Sequence, residues 1–492
     1  MAWTPVTAVA VPPRDANGAF RWCPTGVKAR AGIPGANEVC YEKIGCFSDK
    51  PPWSGIPGRQ LLGLPQSPES INISFSLFTK ESGNTSQKIS ADNTSTIETS
   101  YFSPSRKTAF VIHGFSSTGR YGWVVEICLL LAEVENINCI AVDWEDGAKG
   151  TYFTAASNTR VLGAMIAYLI KTIMKIFNCS LKVHLIGHSL GAHAAGEAGR
   201  RHRGDAKKIP GIDRITGLDP AALCFEGMPT KVRLDPSDAE FVDIIHSNAG
   251  DSLIIGLGII NTTGDMDFYP NGGTNMPGCN DLIKSKEEDE LKTYPQVTRA
   301  VGICDHSRSH MYFKYSILCP DGFLGYPCES YHSFKEGKCF PCPKGGCPMM
   351  GYYADRFYDK LKKGDTAKYF LETGPVEPFC SWRYNISVKL SGSARGDINI
   401  FLRGKEGKTK QYQIADGYLW HGRIYSKLID TEINPANVTR IEFLWYKRFF
   451  TLCWAKLGAE KMTLTRGQDG HESHFCGNER VKYGVLQTLT PC

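Results

Sequence analysis

The sequence predicts an α/β domain followed by an antiparallel β-sandwich, and three observations carry that reading. Short apolar runs alternate with helical periods along most of the chain, the pattern of parallel strands with both sheet faces covered. One of those runs ends in Gly187-His188-Ser189-Leu190-Gly191 and opens into a helix of small residues. Past about Pro378 the pattern changes to period-two segments separated by turns, which argues for a sandwich. At 492 residues the chain is also too long for one ordinary core.

The stretch from Lys182 to Gly199 organises the first domain. Val183, Leu185 and Ile186 make a buried strand, and Ala192, Ala194, Ala195 and Ala198 make a helix with slender packing faces. Between them lies a G-x-S-x-G sequence, in which a serine sits on a strained strand-to-helix turn and glycines leave room for the neighbouring backbone. An isolated match is weak, but here the strand before and the helix after are both present. Ser189 is therefore the candidate nucleophile.

The other elements follow in order. Cys40 to Cys46 closes a small loop if the two cysteines pair, and Ile73 to Lys80 reads as a strand. Lys107 to Phe115 is a short apolar strand ending in His113-Gly114-Phe115. In a serine hydrolase the segment after that strand supplies one oxyanion-hole amide and the residue after the nucleophile supplies the other, so Phe115 and Leu190 are the candidates. A helical segment from Val124, a strand from Cys139 to Trp144 and a long helix near Arg160 to Phe177 complete the βαβ order of an α/β-hydrolase. The strand Arg214 to Leu218 delivers Asp219 at its C-terminal end, where a carboxylate can orient a histidine. Asp213 lies at the other end and ranks lower. The base must come later in the chain, from His246, His306 or His310. His306 is preferred, because Cys304 two residues before it can fix the loop that carries it.

Composition sets the compartment and excludes some partners. A formal charge of +6 is mild for this length and argues for no nucleic-acid partner. The 18 cysteines include the close pairs Cys40/Cys46, Cys128/Cys139, Cys328/Cys339, Cys342/Cys347 and Cys476/Cys492. Zinc at the C-x-x-C of Cys339 and Cys342 is the alternative. Secretion with disulfides is preferred, since the pairs are scattered and accompany N-x-S/T sequons at Asn72, Asn84, Asn93, Asn178, Asn261, Asn385 and Asn437. Residues 1–37 form an atypical N-terminal segment without a basic region and make a poor signal peptide. No transmembrane span is expected, because Val161 to Phe177 is broken by Lys171 and Lys175.

The motifs IGHSLGAHAAGEAGRR, RITGLDPA, VRLDPSDAEFVDIIH, DFYPNGG with MPGC, DGFLGYPC, KCFPCP with GCP and the terminal LTPC resemble the pancreatic lipase family, from about Glu38 to Cys492. The resemblance implies Ser189 as nucleophile, Asp219 as its orienting carboxylate, His306 as base, and Phe115 with Leu190 as oxyanion donors. It implies structural calcium held by the carbonyls of Thr230 and Arg233 and the carboxylates of Asp235 and Asp238, hard oxygen ligands suited to that ion. It implies a lipase domain over 38–378 with a lid between Cys279 and Cys304, and a PLAT β-sandwich over 379–492, the domain that docks colipase in pancreatic lipase. Cys23, Cys179, Cys224, Cys319, Cys380 and Cys453 have no obvious partner.

The sequence departs from the family in two places. The lid carries charge, Lys284-Ser-Lys-Glu-Glu-Asp-Glu, in place of an apolar, tryptophan-bearing segment, so strong interfacial activation is not expected. The adjacent apolar loop, Asp251 to Asp265, either contacts lipid instead or packs on the core. Leu223 stands where digestive lipases carry a proline, which loosens the loop after Asp219. The expected activity is a secreted, monomeric triacylglycerol lipase. Phospholipase A1 or galactolipase activity, or a weakly active lipid-binding homologue, is the alternative.

Overall fold

The computed structural model describes residues 37–203, 211–250, 256–279, 294–361, 367–405, 407–434, 437–447 and 455–492. Most of the N-terminal segment, the lid interior at 280–293, residues 251–255 of the apolar loop, Cys23 and Cys453 lie outside the described residues. The chain divides into two compact units at residues 317 and 318, with the stretch 362–368 returning to the first.

The first unit opens with a hairpin, β1 (Glu38–Tyr41) and β2 (Gly45–Ser48), closed by the Cys40–Cys46 disulfide. Its main sheet is built from β3 (Ser74–Phe78), β4 (Gln87–Ile89), β5 (Thr108–Ile112), β6 (Asn138–Asp143), β7 (Val183–His188), β8 (Arg214–Leu218), β9 (Phe241–Ile245) and β10 (Met266–Pro270). Within this unit the order is β10-β9-β8-β7-β5-β6-β3-β4. The strands from β5 to β10 pair in parallel, and β3 and β4 are antiparallel additions at the edge. Every residue of β5, β6, β8, β9 and β10 is buried. That burial explains why these strands read as unbroken apolar runs rather than alternating ones.

Helices cover the faces. The longest, Tyr152–Phe177, starts eight residues earlier than the apolar pattern suggested. Thr151 caps it by accepting from Thr154 N at 3.1 Å, and Asn178 ends it in the left-handed region at φ 46°. Its Gly163 lets the elbow helix, Leu190–Arg203, come close: a Cβ there would lie 2.6 Å from Ala194 O and 2.7 Å from Glu197 Cβ. The small residues after Ser189 thus serve a packing role, burying one helix against the other at backbone distance.

The second unit contains an antiparallel assembly of nine strands in two leaves. One leaf holds Trp382–Ser391, Ile424–Thr431, Gly458–Arg466 and Glu472–Cys476. The other holds Ala394–Gly404, Gly407–Lys408, Tyr412–Leu419 and Val438–Lys447. Gln487–Pro491 pairs with both leaves. Inward residues such as Ile386, Val388, Ile398, Ile400, Phe443, Trp445 and Met462 form one core. The period-two pattern has its cause here, since each strand is apolar on the face toward the opposite leaf.

Disulfides join Cys128–Cys139 and Cys279–Cys304 in the first unit, and Cys328–Cys339, Cys342–Cys347 and Cys476–Cys492 in the second. Cys319 and Cys380, left without partners by the sequence, also pair. They are 61 residues apart, and Gly322 and Ser381 bring the two segments together through a backbone hydrogen bond of 2.9 Å.

Candidate active site

Ser189 stands at the C-terminal edge of the parallel sheet, on the turn between β7 and the elbow helix. Its φ is +57°, a conformation uncommon for a residue with a Cβ. The surrounding glycines explain how the turn is tolerated. A Cβ on Gly187 would lie 2.3 Å from Gly191 O, and one on Gly191 would lie 2.5 Å from Ile112 O. Gly114 is needed for the same reason, since its Cβ would meet Ser189 Cβ at 2.7 Å. The turn is fastened by hydrogen bonds from Ser189 N to Leu218 O (3.0 Å) and from Ala192 N to Ser189 O (3.1 Å).

Asp219 follows β8, fully buried and also at positive φ, 45°. Its Oδ1 accepts the amides of Ser247 (2.8 Å) and Asn248 (3.0 Å), and its Oδ2 accepts His306 Nδ1–H at 2.6 Å. That bond fixes the neutral imidazole as the Nδ1–H tautomer, leaving Nε2 as a proton acceptor. The ring of His306 is also held from behind. Its own carbonyl accepts from His188 Nε2 (3.2 Å) and Ser309 Oγ (2.9 Å), while the His188 ring packs 4.5 Å from it, centroid to centroid. Burial and the neighbouring imidazoles hold His188 well below the usual histidine range, so it stays a neutral donor. Among the described residues Ser189 Oγ has no hydrogen-bond partner.

Leu190 directly follows the serine, and Phe115 directly follows Gly114, which packs against it. Leu190 opens the elbow helix, so its N–H has no acceptor within that helix. Phe115 lies on the loop after β5, its ring 5.5 Å from Tyr152 in an edge-on contact. His113 shapes this loop: its Nδ1–H donates to Gly114 O at 2.9 Å, while Nε2 accepts from Trp144 N at 3.1 Å.

The other histidines are occupied elsewhere. Both nitrogens of His246 are engaged, with Asp267 (2.7 Å) and Ile259 O (2.8 Å). His310 stacks on Trp123 at 4.5 Å, and burial pushes it down to about 3. Asp213, at the far end of the sheet, accepts from Val183 N and stays remote from the elbow.

Sequence reasoning missed the groups that hold the aspartate. The Ser247 and Asn248 amides belong to the turn after β9, and Gly258 packs against the carboxylate so closely that a Cβ would lie 2.3 Å from Asp219 Oδ1. The described part of the apolar loop packs at Gly258 and Ile259 against Asp219 and the residues after it. Leu257 O accepts from Ala222 N and Ile259 N donates to Pro220 O, each at 2.8 Å, and Ile259 is fully buried. Among the described residues of this loop Ile260 is exposed (42%) and Leu257 is half-buried. A glycine between two apolar residues was the available signal. The loop after Asp219, expected to be loosened by Leu223, is tied at successive residues. Ala221 O accepts from His193 Nε2 (2.8 Å), Leu223 O from Tyr152 Oη (3.0 Å) and Cys224 O from Arg59 Nη1 (2.6 Å).

Of the four residues expected to hold calcium, the carbonyls of Thr230 and Arg233 and the carboxylate of Asp238 converge. The Asp235 carboxylate is turned toward Ser237 Oγ (2.9 Å) and Arg233 Nη1 (3.3 Å). Asp238 is buried, and its Oδ1 has no hydrogen-bond partner. An orphaned carboxylate oxygen beside converging carbonyls fits a hard cation. His193 links this loop to the site, accepting from Leu234 N at Nδ1 (3.1 Å) and donating to Ala221 O from Nε2.

Known proteins resemble the chain along nearly its whole length. A family model described as Lipase matches residues 37–379, and one described as PLAT/LH2 domain matches 384–488. Pancreatic lipase-related protein 3 of Homo sapiens is 47% identical over 465 residues, covering 94% of this chain and 97% of that protein. Pancreatic triacylglycerol lipase of Equus caballus is 45% identical, covering 93% and 97%, and inactive pancreatic lipase-related protein 1 of Mus musculus is 44% identical, covering 94% and 96%. With its G-x-S-x-G elbow, its buried aspartate–histidine pair and likeness over nearly its whole length, the chain belongs to the pancreatic lipase family.

Proposed function

We propose that this chain is a secreted lipase that hydrolyses the carboxylic esters of acylglycerols, and that Ser189, His306 and Asp219 carry the reaction. The observation that carries the reading is the 2.6 Å bond from His306 Nδ1 to the buried Asp219, beside a serine on a strained elbow. Ser189 Oγ attacks the ester carbonyl while His306 Nε2 takes its proton, and Asp219 stabilises the imidazolium. The amides of Phe115 and Leu190 receive the developing oxyanion. His306 returns the proton to the leaving alcohol, and water, activated by the same imidazole, releases the fatty acid. Calcium, held by Thr230, Arg233, Asp235 and Asp238, would brace the loop that His193 connects to Ala221, two residues after Asp219.

The disulfides and sequons support an extracellular setting, and no described helix is long and apolar enough to cross a membrane. Lipid at an interface is the proposed substrate phase. The PLAT unit is the proposed docking site for colipase, and the working form is a monomer. The test is hydrolysis of emulsified triacylglycerol and of a soluble ester by wild type and Ser189→Ala, with circular dichroism as the folding control. Loss of both activities in a folded variant supports the proposal, and retained hydrolysis refutes it.

A second reading, a lipid-binding homologue with little turnover, is favoured by Leu223 and by the relative named as inactive. The ties on Ala221, Leu223 and Cys224 weigh against it, since they hold the loop without a proline.

A further inference from the structure

The pocket expected to hold calcium already receives a cation from the chain itself. Arg200, on the last turn of the elbow helix, directs Nη1 at Asp238 Oδ2 (2.7 Å), Arg233 O (2.9 Å) and Thr230 O (3.3 Å). These are three of the four groups proposed as ion ligands. Glu197, three residues earlier on the same helix, aims the guanidinium by accepting Nε and Nη2 at 3.3 Å each. The helix face is cut away to admit this arrangement. A Cβ on Gly196 would lie 2.7 Å from Asp238 Oδ2, and one on Gly199 would lie 2.1 Å from Asp238 O.

The fit between guanidinium and pocket is incomplete. Asp238 is 1% exposed, its Oδ2 is shared by Arg200 and the amide of Asp235 (3.0 Å), and its Oδ1 is left unpaired. A planar guanidinium delivers one nitrogen to a site whose oxygens point inward from several directions. A divalent ion, at oxygen distances of about 2.3–2.6 Å, can gather them all. The two cations cannot share the site, because both are positive and both need the same oxygens. The Arg200 side chain is 22% exposed, so its path out leads to water, and Glu197 remains as its partner there.

We propose that Arg200 is a tethered competitor for this pocket: it neutralises Asp238 when no divalent ion is present and must leave before one binds. The proposal rests on the calcium reading given above. It makes the ion affinity of this chain a property of Arg200 as much as of the ligands, since the apparent dissociation constant is raised by the fraction of molecules with the guanidinium seated.

The experiment is calorimetric titration of Ca²⁺ into the full-length wild type, Arg200→Met and Arg200→Lys, with thermal unfolding in EDTA and in calcium. Arg200→Met should bind Ca²⁺ at least about tenfold more tightly than wild type. It should also unfold at lower temperature in EDTA and recover in calcium. Arg200→Lys, which keeps a charge but loses the Glu197-aimed fork, should lie between the two and decides the matter if the methionine variant does not fold without calcium. Equal Ca²⁺ affinity in wild type and variants overturns the competition while leaving the calcium site standing. Absence of binding in all three overturns the calcium reading and the competition with it.

Discussion

Replacing Asp219 by asparagine isolates the function of one buried carboxylate. Oδ1 accepts two amides, from Ser247 and Asn248, and Oδ2 accepts His306 Nδ1–H. The asparagine oxygen must stay with the two amides, because an NH₂ group there would face two donors. The NH₂ therefore faces His306 Nδ1 and forces that nitrogen to accept. The ring proton moves to Nε2, which then has no lone pair for the serine hydroxyl. The same exchange in a serine-protease triad costs about 10⁴-fold in kcat, which corresponds to roughly 5.5 kcal/mol of activation free energy. Asp219→Asn should lose kcat on a soluble short-chain ester by that order, with KM nearly unchanged because the fully buried residue touches no substrate. Steady-state kinetics near pH 8, with circular dichroism as control, makes the measurement. A loss below tenfold in a folded variant would show that His306 does not depend on Asp219 for its tautomer.

Other consequences follow from the same packing. Gly258→Ala places a methyl within 2.3–2.6 Å of the Asp219 carboxylate, so it should lower stability by about 1–3 kcal/mol and reduce kcat at least tenfold. Wild-type kcat and unfolding temperature in this variant would contradict the packing. Asp305, 2% exposed with Oδ1 on Met276 N (2.8 Å), is pushed by burial up to about 7. Its folded value lies above the unfolded one, so stability falls as pH rises from about 4 to 7, where the unfolded carboxyl ionises and the folded one does not. Asp305→Asn keeps the acceptor for Met276 N and should therefore stabilise the protein at pH 8, by up to about 4 kcal/mol, and much less at pH 4.5. Denaturant melts at the two pH values check this, and an equal effect at both would refute it.

What could be read from sequence was what sterics and periodicity dictate locally. The elbow is legible because only glycine fits at 187 and 191, and the parallel strands are legible because burial on both faces leaves no polar alternation. His306 required choosing among three histidines. Only packing shows that His246 and His310 are spent on Asp267 and Trp123. The amides that hold Asp219, the close approach of Gly258 and the Cys319–Cys380 bridge depend on segments far apart in the chain, for which no local pattern exists. Arg200 is the clearest case, since a basic residue near a helix C-terminus reads as ordinary dipole complementation until the pocket facing it is seen.

Covalent labelling tests the central claim most directly. An organophosphate ester offered to the full-length protein, followed by peptide mass analysis, should place one adduct on Ser189, formed at a rate that drops sharply in His306→Ala and Asp219→Asn. Unmodified Ser189 in folded, lipid-exposed protein, or labelling that proceeds equally well without His306, would contradict the account.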